Sequence, residues 1–257
     1  MKDGFFRVAA VTPKVRVADP TYNREQICKR LEEGEAAGAG LMVFPELCLT
    51  AYTCGDLFLQ KPLLKSAREE LLKIAKCTAD KHMLVFVGLP WEHGGKLYNV
   101  AAALSEGKLL GIVPKTHLPN YSEFYEQRHF TASMQDVVLT EWQDNWVPMG
   151  SNLLFRCREM PDLLVAAEIC EDVWVPCPPS IRHVQAGALI VANCSASDET
   201  VGKDSYREAL ISGQSARLMC GYVYANAGEG ESTQDLVFGG HNIIAENGTI
   251  LTGSKRF

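Results

Sequence analysis

Residues 83–113 read MLVFVGLPWEHGGKLYNVAAALSEGKLLGIV, three apolar runs separated by polar turns, and they decide the kind of sheet this chain builds. Met83 to Gly88, Leu97 to Leu104 and Leu109 to Val113 are predicted as strands, the last two joined at Glu106-Gly107. No helix-length segment separates them, so they form a meander and not a parallel crossover, which needs a dozen or more connecting residues. Outward from this stretch, apolar runs alternate with amphipathic ones. Strands are expected at Phe6 to Thr12 and Leu41 to Phe44, and helices at Asn23 to Ala37, ended by Gly38, and at Leu63 to Ala79. Downstream lie strands at Leu153 to Phe155, Leu163 to Ile169, Leu189 to Asn193 and Tyr222 to Asn226, and a last hairpin near Glu246-Asn247-Gly248. Helices are expected at Ser180 to Ala186, capped by Ser180, and at Asp204 to Cys220, closed by Gly221. Thr116 to Pro148 is polar and aromatic without a clear period, the signature of a long functional loop. The alternation implies a layered α/β fold, the meander a mixed sheet, and the lack of a linker or repeat one domain over 1–257.

With 47% apolar and 22% charged residues the composition is that of a folded chain. A net charge of -6, with no basic run longer than Lys255-Arg256, argues against nucleic acid, whose phosphates require clustered Lys and Arg. No apolar stretch approaches the roughly 20 residues of a membrane span. Met1 to Phe6 lacks the apolar core of a signal peptide, so a cytoplasmic protein without membrane contact is expected. Nine cysteines make an odd number for a disulfide framework, and neither C-x-x-C nor H-x-x-x-H occurs, so mostly free thiols and no metal are expected.

Several apolar strands end on a polar residue. Leu41 to Pro45 delivers Glu46, Leu110 to Pro114 delivers Lys115, Leu163 to Ile169 delivers Cys170, and Leu189 to Asn193 leads to Ser195 and Ser197. Ligands of α/β folds bind at carboxyl ends of strands, so these residues can share one crevice. Taken alone, Cys170 reads as one more buried thiol, and Glu46 and Lys115 as surface charges. The neighbours of Cys170 change that reading: Glu168, Glu171 and Asp172 oppose thiolate formation, so a reactive Cys170 needs a base and a cation, which Glu46 and Lys115 supply. A Cys–His pair is the competing arrangement, with His117 the histidine to watch. No G-x-S-x-G elbow, Walker A loop or G-x-G-x-x-G motif supports a serine hydrolase, a nucleotide hydrolase or a dinucleotide site.

Three of these segments, Phe44-Pro45-Glu46-Leu47, Pro114-Lys115-Thr116-His117-Leu118-Pro119 and Glu168-Ile169-Cys170-Glu171-Asp172, occur in the order that marks the nitrilase or carbon-nitrogen hydrolase superfamily, which the chain resembles over nearly its whole length. The resemblance implies a four-layer αββα sandwich with mixed sheets. It also implies a triad in which Glu46 is the general base, Cys170 the nucleophile and Lys115 the stabiliser of tetrahedral intermediates, with the Glu171 N–H in the oxyanion hole and Glu126 as second glutamate. Leu49 to Phe58, Glu171-Asp172-Val173-Trp174-Val175-Pro176 and Ser195-Ala196-Ser197 before Gly202-Lys203 are similar, more narrowly, to the glutaminase domains of glutamine-dependent NAD+ synthetases. That resemblance implies glutamine as substrate, its pocket lined by Tyr121, Glu171, Trp174, Ser197 and Lys203. It also implies ammonia release for the amination of deamido-NAD. No cofactor is implied for this chain, whereas ATP and Mg2+ belong to a C-terminal synthetase domain whose S-G-G-x-D-S loop these residues lack. That domain is the expected partner, the chain is expected to be a fragment of a longer enzyme, and a homo-oligomer is expected. Ala51 departs from the pattern, which has glycine there. A stand-alone amidase or carbamoylase is the alternative enzyme, and a silent scaffold the alternative outside enzymes.

Overall fold

The computed structural model describes residues 4–134, 136–233 and 235–257; Met1 to Asp3, used in the leader argument, and Gln135 of the 116–148 segment fall outside it. The strands are β1 (Val8–Ala10), β2 (Leu41–Val43), β3 (Leu84–His93), β4 (Lys96–Ser105), β5 (Lys108–Pro114), β6 (Val138–Trp142), β7 (Asn145–Met149), β8 (Leu154–Arg156), β9 (Leu164–Ile169), β10 (Ile190–Ser195), β11 (Gly221–Asn226), β12 (Ile243–Glu246) and β13 (Thr249–Gly253). The helices are α1 (Pro20–Ala36), α2 (Lys61–Cys77), α3 (Ser180–Gln185) and α4 (Lys203–Leu218). Asp19 caps α1 by accepting the Tyr22 N–H, Pro20 starts it, and Gly38 at φ 73° follows its end.

Two mixed sheets result, ordered β1-β2-β3-β4-β5-β7-β6 and β13-β12-β11-β10-β9-β8. The period of 2 assigns each strand one residue set per face. Leu41, Val43, Phe86, Ala101, Ala103 and Val113 of the first sheet meet Val165, Ala167, Ile169, Ala192 and Val223 of the second in one apolar layer. On the opposite face of the first sheet, Met42, Val85 and Val87 pack on Ile27, Leu31, Leu71 and Ile74 of α1 and α2. Val191, Tyr222 and Tyr224 of the second sheet pack on Ile211 and Leu218 of α4. The order of layers is α, β, β, α, because each sheet is apolar on both faces.

Three local readings are corrected. The segment 116–148 is not all loop: β6 and β7 form a hairpin through Gln143-Asp144. Leu139 and Trp146 face solvent while Thr140, Trp142 and Val147 are buried, so apolar residues fall on both faces and hide the alternation. Ser180 does not cap α3. The capping position is Pro179; the Ser180 N–H donates to Glu168 and its Oγ accepts from Gln214 Nε2 at 2.8 Å. Gly221 does not close α4 but begins β11, and Met219 in the left-handed region (φ 50°) turns the chain instead.

Candidate active site

Glu46, Lys115 and Cys170, from three distant segments, meet at the carboxyl ends of the inner strands, joined by Glu126 of the loop after Lys115. Glu46 follows β2 through Phe44 and Pro45, and β3 presses against it: a Cβ at Gly88 would lie 2.3 Å from the Leu47 N and 2.4 Å from the Pro45 O. Only glycine permits that approach. Lys115 follows β5, its N–H donated to the Asn99 C=O at 2.8 Å. Glu46 and Lys115 are fully buried, which removes the solvated-charge reading, and Glu126 is 5% exposed.

The Lys115 ammonium donates to Glu46 Oε1 and to Glu126 Oε1, both at 2.6 Å. Asn99 Nδ2 donates to Glu46 Oε1 at 2.6 Å, and the Ala196 N–H to Glu46 Oε2 at 3.0 Å. Tyr52 O–H donates to Glu126 Oε1 at 2.8 Å. Burial alone would favour a neutral Lys115, but Glu126 and Glu46 outweigh it and hold the ammonium well above the ordinary lysine range. Burial drives Glu126 up to about 7, with Lys115 opposing and Glu46 adding to the rise.

Cys170 stands where β9 turns into a 3-10 turn (Cys170–Val173), at φ 44°, a conformation non-glycine residues adopt only when held. Asn193 Oδ1 accepts the Cys170 N–H at 3.0 Å, and Asp172 Oδ2 accepts that of Ile169 at 3.0 Å. Asp172 also accepts the N–H of His117 at 2.8 Å and of Thr116 at 3.2 Å, so one buried carboxyl group ties the Lys115 strand end to the Cys170 turn. The thiol lies far above its ordinary range, through burial first and Glu46 second, with Lys115 opposing. The direction agrees with the expectation from its acidic neighbours, but the cause differs: Glu168 turns away to Tyr222 and Ser180, and Asp172 to backbone donors. His117 joins this site through its backbone N–H.

Of the expected pocket residues, four form one rim. Tyr121 O–H donates to Glu171 at 3.0 Å, and its ring lies 6.0 Å from that of Phe124. Lys203 Nζ lies 5.8 Å from the Phe124 ring and 5.5 Å from that of Trp174, which stacks on Tyr206. Ser197 sits behind this rim, its N–H donated to Asn226 Oδ1 at 2.7 Å and its Oγ accepting from Arg207 at 3.3 Å. Sequence reasoning missed Tyr52, Asn99, Asn193 and Phe124 and gave Asp172 no structural task. Tyr52 carried a signal, since it lies in the quoted stretch after Glu46.

Residues 7–257 match the carbon-nitrogen hydrolase family model. The chain belongs to the carbon-nitrogen hydrolases. This carbon-nitrogen hydrolase is similar to the glutamine-dependent NAD(+) synthetase of Mycobacterium tuberculosis (strain ATCC 25618 / H37Rv), 40% identical over 254 residues, covering 99% of this chain and 37% of the relative. It is 31% identical over 242 residues to the enzyme of the same name from Aquifex aeolicus (strain VF5), covering 94% of this chain and 39% of that one. Among solved structures, the glutamine-dependent NAD(+) synthetase from Cytophaga hutchinsonii superposes with a TM-score of 0.87 at 31% identity, over 98% of this chain and 40% of that chain. An amidase from Nesterenkonia sp. superposes at 0.75 with 21% identity over 100% of this chain, a likeness of fold. The hydrolase thus spans about two fifths of the synthetases it matches.

Proposed function

We propose that this chain hydrolyses the side-chain amide of glutamine through a thioester on Cys170 and supplies the ammonia to the amination of deamido-NAD. The observation that carries the reading is the rim: the Glu171 carboxylate and the Lys203 ammonium, which is anchored by the buried Asp198, converge with Tyr121 beside a buried thiol. Opposite charges at a pocket mouth suit a zwitterionic head group, Glu171 taking an α-ammonium and Lys203 an α-carboxylate. An uncharged amide has no use for either. The names of the relatives, glutamine-dependent NAD(+) synthetases, support the same substrate and NAD+ synthesis as the consumer of ammonia; on this reading ATP and Mg2+ belong to the synthetase domain.

In the mechanism, Glu46 takes the Cys170 proton as Sγ attacks the amide carbon, because a thiol in this setting is not ionised beforehand. The Cys170 N–H is committed to Asn193, so the next N–H of the turn, that of Glu171, serves the oxyanion together with the Lys115 ammonium. The C–N bond breaks, the leaving nitrogen takes the proton from Glu46 and departs as ammonia, and a γ-glutamyl thioester remains. Water, deprotonated by Glu46, then attacks the thioester; the C–S bond breaks, the sulfur takes the proton back from Glu46, and glutamate and the thiol are released. Glu126 and Tyr52 keep the Lys115 ammonium in place throughout. Ammonia release from glutamine, compared between the wild type and Cys170→Ala, tests the reading: release is lost in the variant, and equal rates refute it. Glu171→Gln tests the substrate, since it should abolish turnover of glutamine and spare that of a simple uncharged amide.

A further inference from the structure

A fully buried amide joins the two carboxylates of this site. Asn99 lies in β4, opposite Pro90 of β3, with no exposed surface. Its C=O accepts the Lys115 N–H at 2.8 Å, fixing the backbone that carries the ammonium. Its Nδ2 donates to Glu46 Oε1 at 2.6 Å and reaches Glu126 Oε2 at 3.5 Å. The orientation follows from the partners, since an Oδ1 on this side would face only acceptor oxygens whenever both carboxyls are ionised. Oδ1 itself is buried without a partner, a state folded proteins rarely leave unexplained. An apolar side chain would avoid it. The explanation therefore lies with Nδ2.

The titratable groups facing the carboxylate pair are Lys115 beyond β5, Tyr52 from the turn after β2, Cys170 and Glu171 after β9, and Cys194 of β10. Among these groups Lys115 is the single cation, and it contacts both carboxylates. One ammonium against two carboxyl groups leaves either a surplus negative charge out of reach of water or a proton on the pair, the direction in which Glu126 is raised. Neutral donors must carry the remainder: the Ala196 N–H on Glu46, Tyr52 on Glu126, and the Asn99 amide on both.

We propose that Asn99 is a positioning residue of this site, the shared donor that holds the Glu46 and Glu126 carboxyls side by side and favours their ionised forms, so that the pair can take the Cys170 proton. The proposal rests on Cys170 as nucleophile and Glu46 as its base, not on glutamine as substrate. Without that donor the pair, titrating as a unit, retains a proton to higher pH.

Alkylation by iodoacetamide, followed on the Cys170 peptide by mass spectrometry from about pH 5 to about 9 in the full chain, reads this without any substrate. Asn99→Leu moves the midpoint of the rate profile up by about one pH unit. Asn99→Asp, with the shape of asparagine but a third carboxylate, moves it further. Midpoints unchanged in both variants, with only the plateau rate lowered, overturn the proposal and leave Asn99 a packing residue. If Asn99→Leu fails to fold, the Asp variant decides alone: an upward shift supports the proposal, and an unmoved or lowered midpoint overturns it. A wild-type Cys170 that stays unlabelled at every pH while the exposed Cys177 reacts removes the nucleophile assignment, and this proposal with it.

Discussion

Ala51 is fully buried and sits at φ 70°, ψ 153°, a region that only glycine enters without strain. The departure from glycine at this position therefore has a measurable cost, felt just before Tyr52, which holds Glu126. Ala51→Gly should stabilise the fold by about 1 kcal/mol, the 1–3 kcal/mol of relieved strain being partly offset by the greater freedom of an unfolded glycine. Urea denaturation measures it, and a destabilised variant would contradict the strain argument. Cys170 is held at positive φ too, but there the turn is locked by Asn193 and Asp172. Glu46, Lys115 and Cys170 were legible because each follows an apolar strand whose end sequence alone marks. Asn99 and Asn193 were not, since each lies inside a strand and reads as an ordinary polar position until the fold brings in a partner 53 or 23 residues away.

At the scale of the element, β3 shows what local pattern conveys and what it omits. The apolar run Met83 to Gly88 announces the strand, yet β3 continues through Pro90 to His93. Proline usually ends a central strand because it lacks a ladder donor. Here β2 pairs with β3 only over Leu84 to Phe86, so Pro90 sits where that side of β3 has no partner strand and loses no ladder bond. Register of this kind belongs to two segments at once and is invisible in either. Gly88, in the same strand, accommodates the Pro45-Glu46-Leu47 backbone, and its C=O accepts the Leu49 N–H at 3.1 Å. Gly88→Ala should cost about 3 kcal/mol or more by forcing rigid backbone apart, in the manner of an overpacked core. Because the displaced backbone is that of Glu46, residual activity should fall further than the folded fraction does. Thermal unfolding alongside ammonia release separates the two effects; equal losses would contradict the seating role.

At the scale of the molecule, the layered α/β class and mixed sheets followed from alternation and meander, whereas the αββα stacking came from the resemblance and from cores on both faces of each sheet. The layers bury more acid than base. Burial raises Glu126 to about 7 and, with Glu168 adding, Asp172 to about 8. The buried thiols Cys48, Cys54 and Cys220 are each raised to about 12. A raised acid binds its proton more tightly in the native state than in the unfolded chain, so stability falls as pH rises toward the native value. Above about pH 7 the histidines, which burial lowers at His183 and His241, no longer oppose this trend. Stability should fall by on the order of 2 kcal/mol from about pH 7 to about 9, through Asp172 and the buried thiols, while Glu126→Gln should act on the slope mainly below about pH 7. Urea titrations across that range test it; stability rising with pH would contradict it.

The proposed mechanism requires Cys170 to be acylated by the side-chain carbonyl of glutamine. Rapid acid quenching of the protein with isotopically labelled glutamine, followed by peptide mass spectrometry, tests it most directly. One γ-glutamyl group is expected on the Cys170 peptide and none in Cys170→Ala. Turnover of glutamine with no label on Cys170, undiminished in Cys170→Ala, would contradict it.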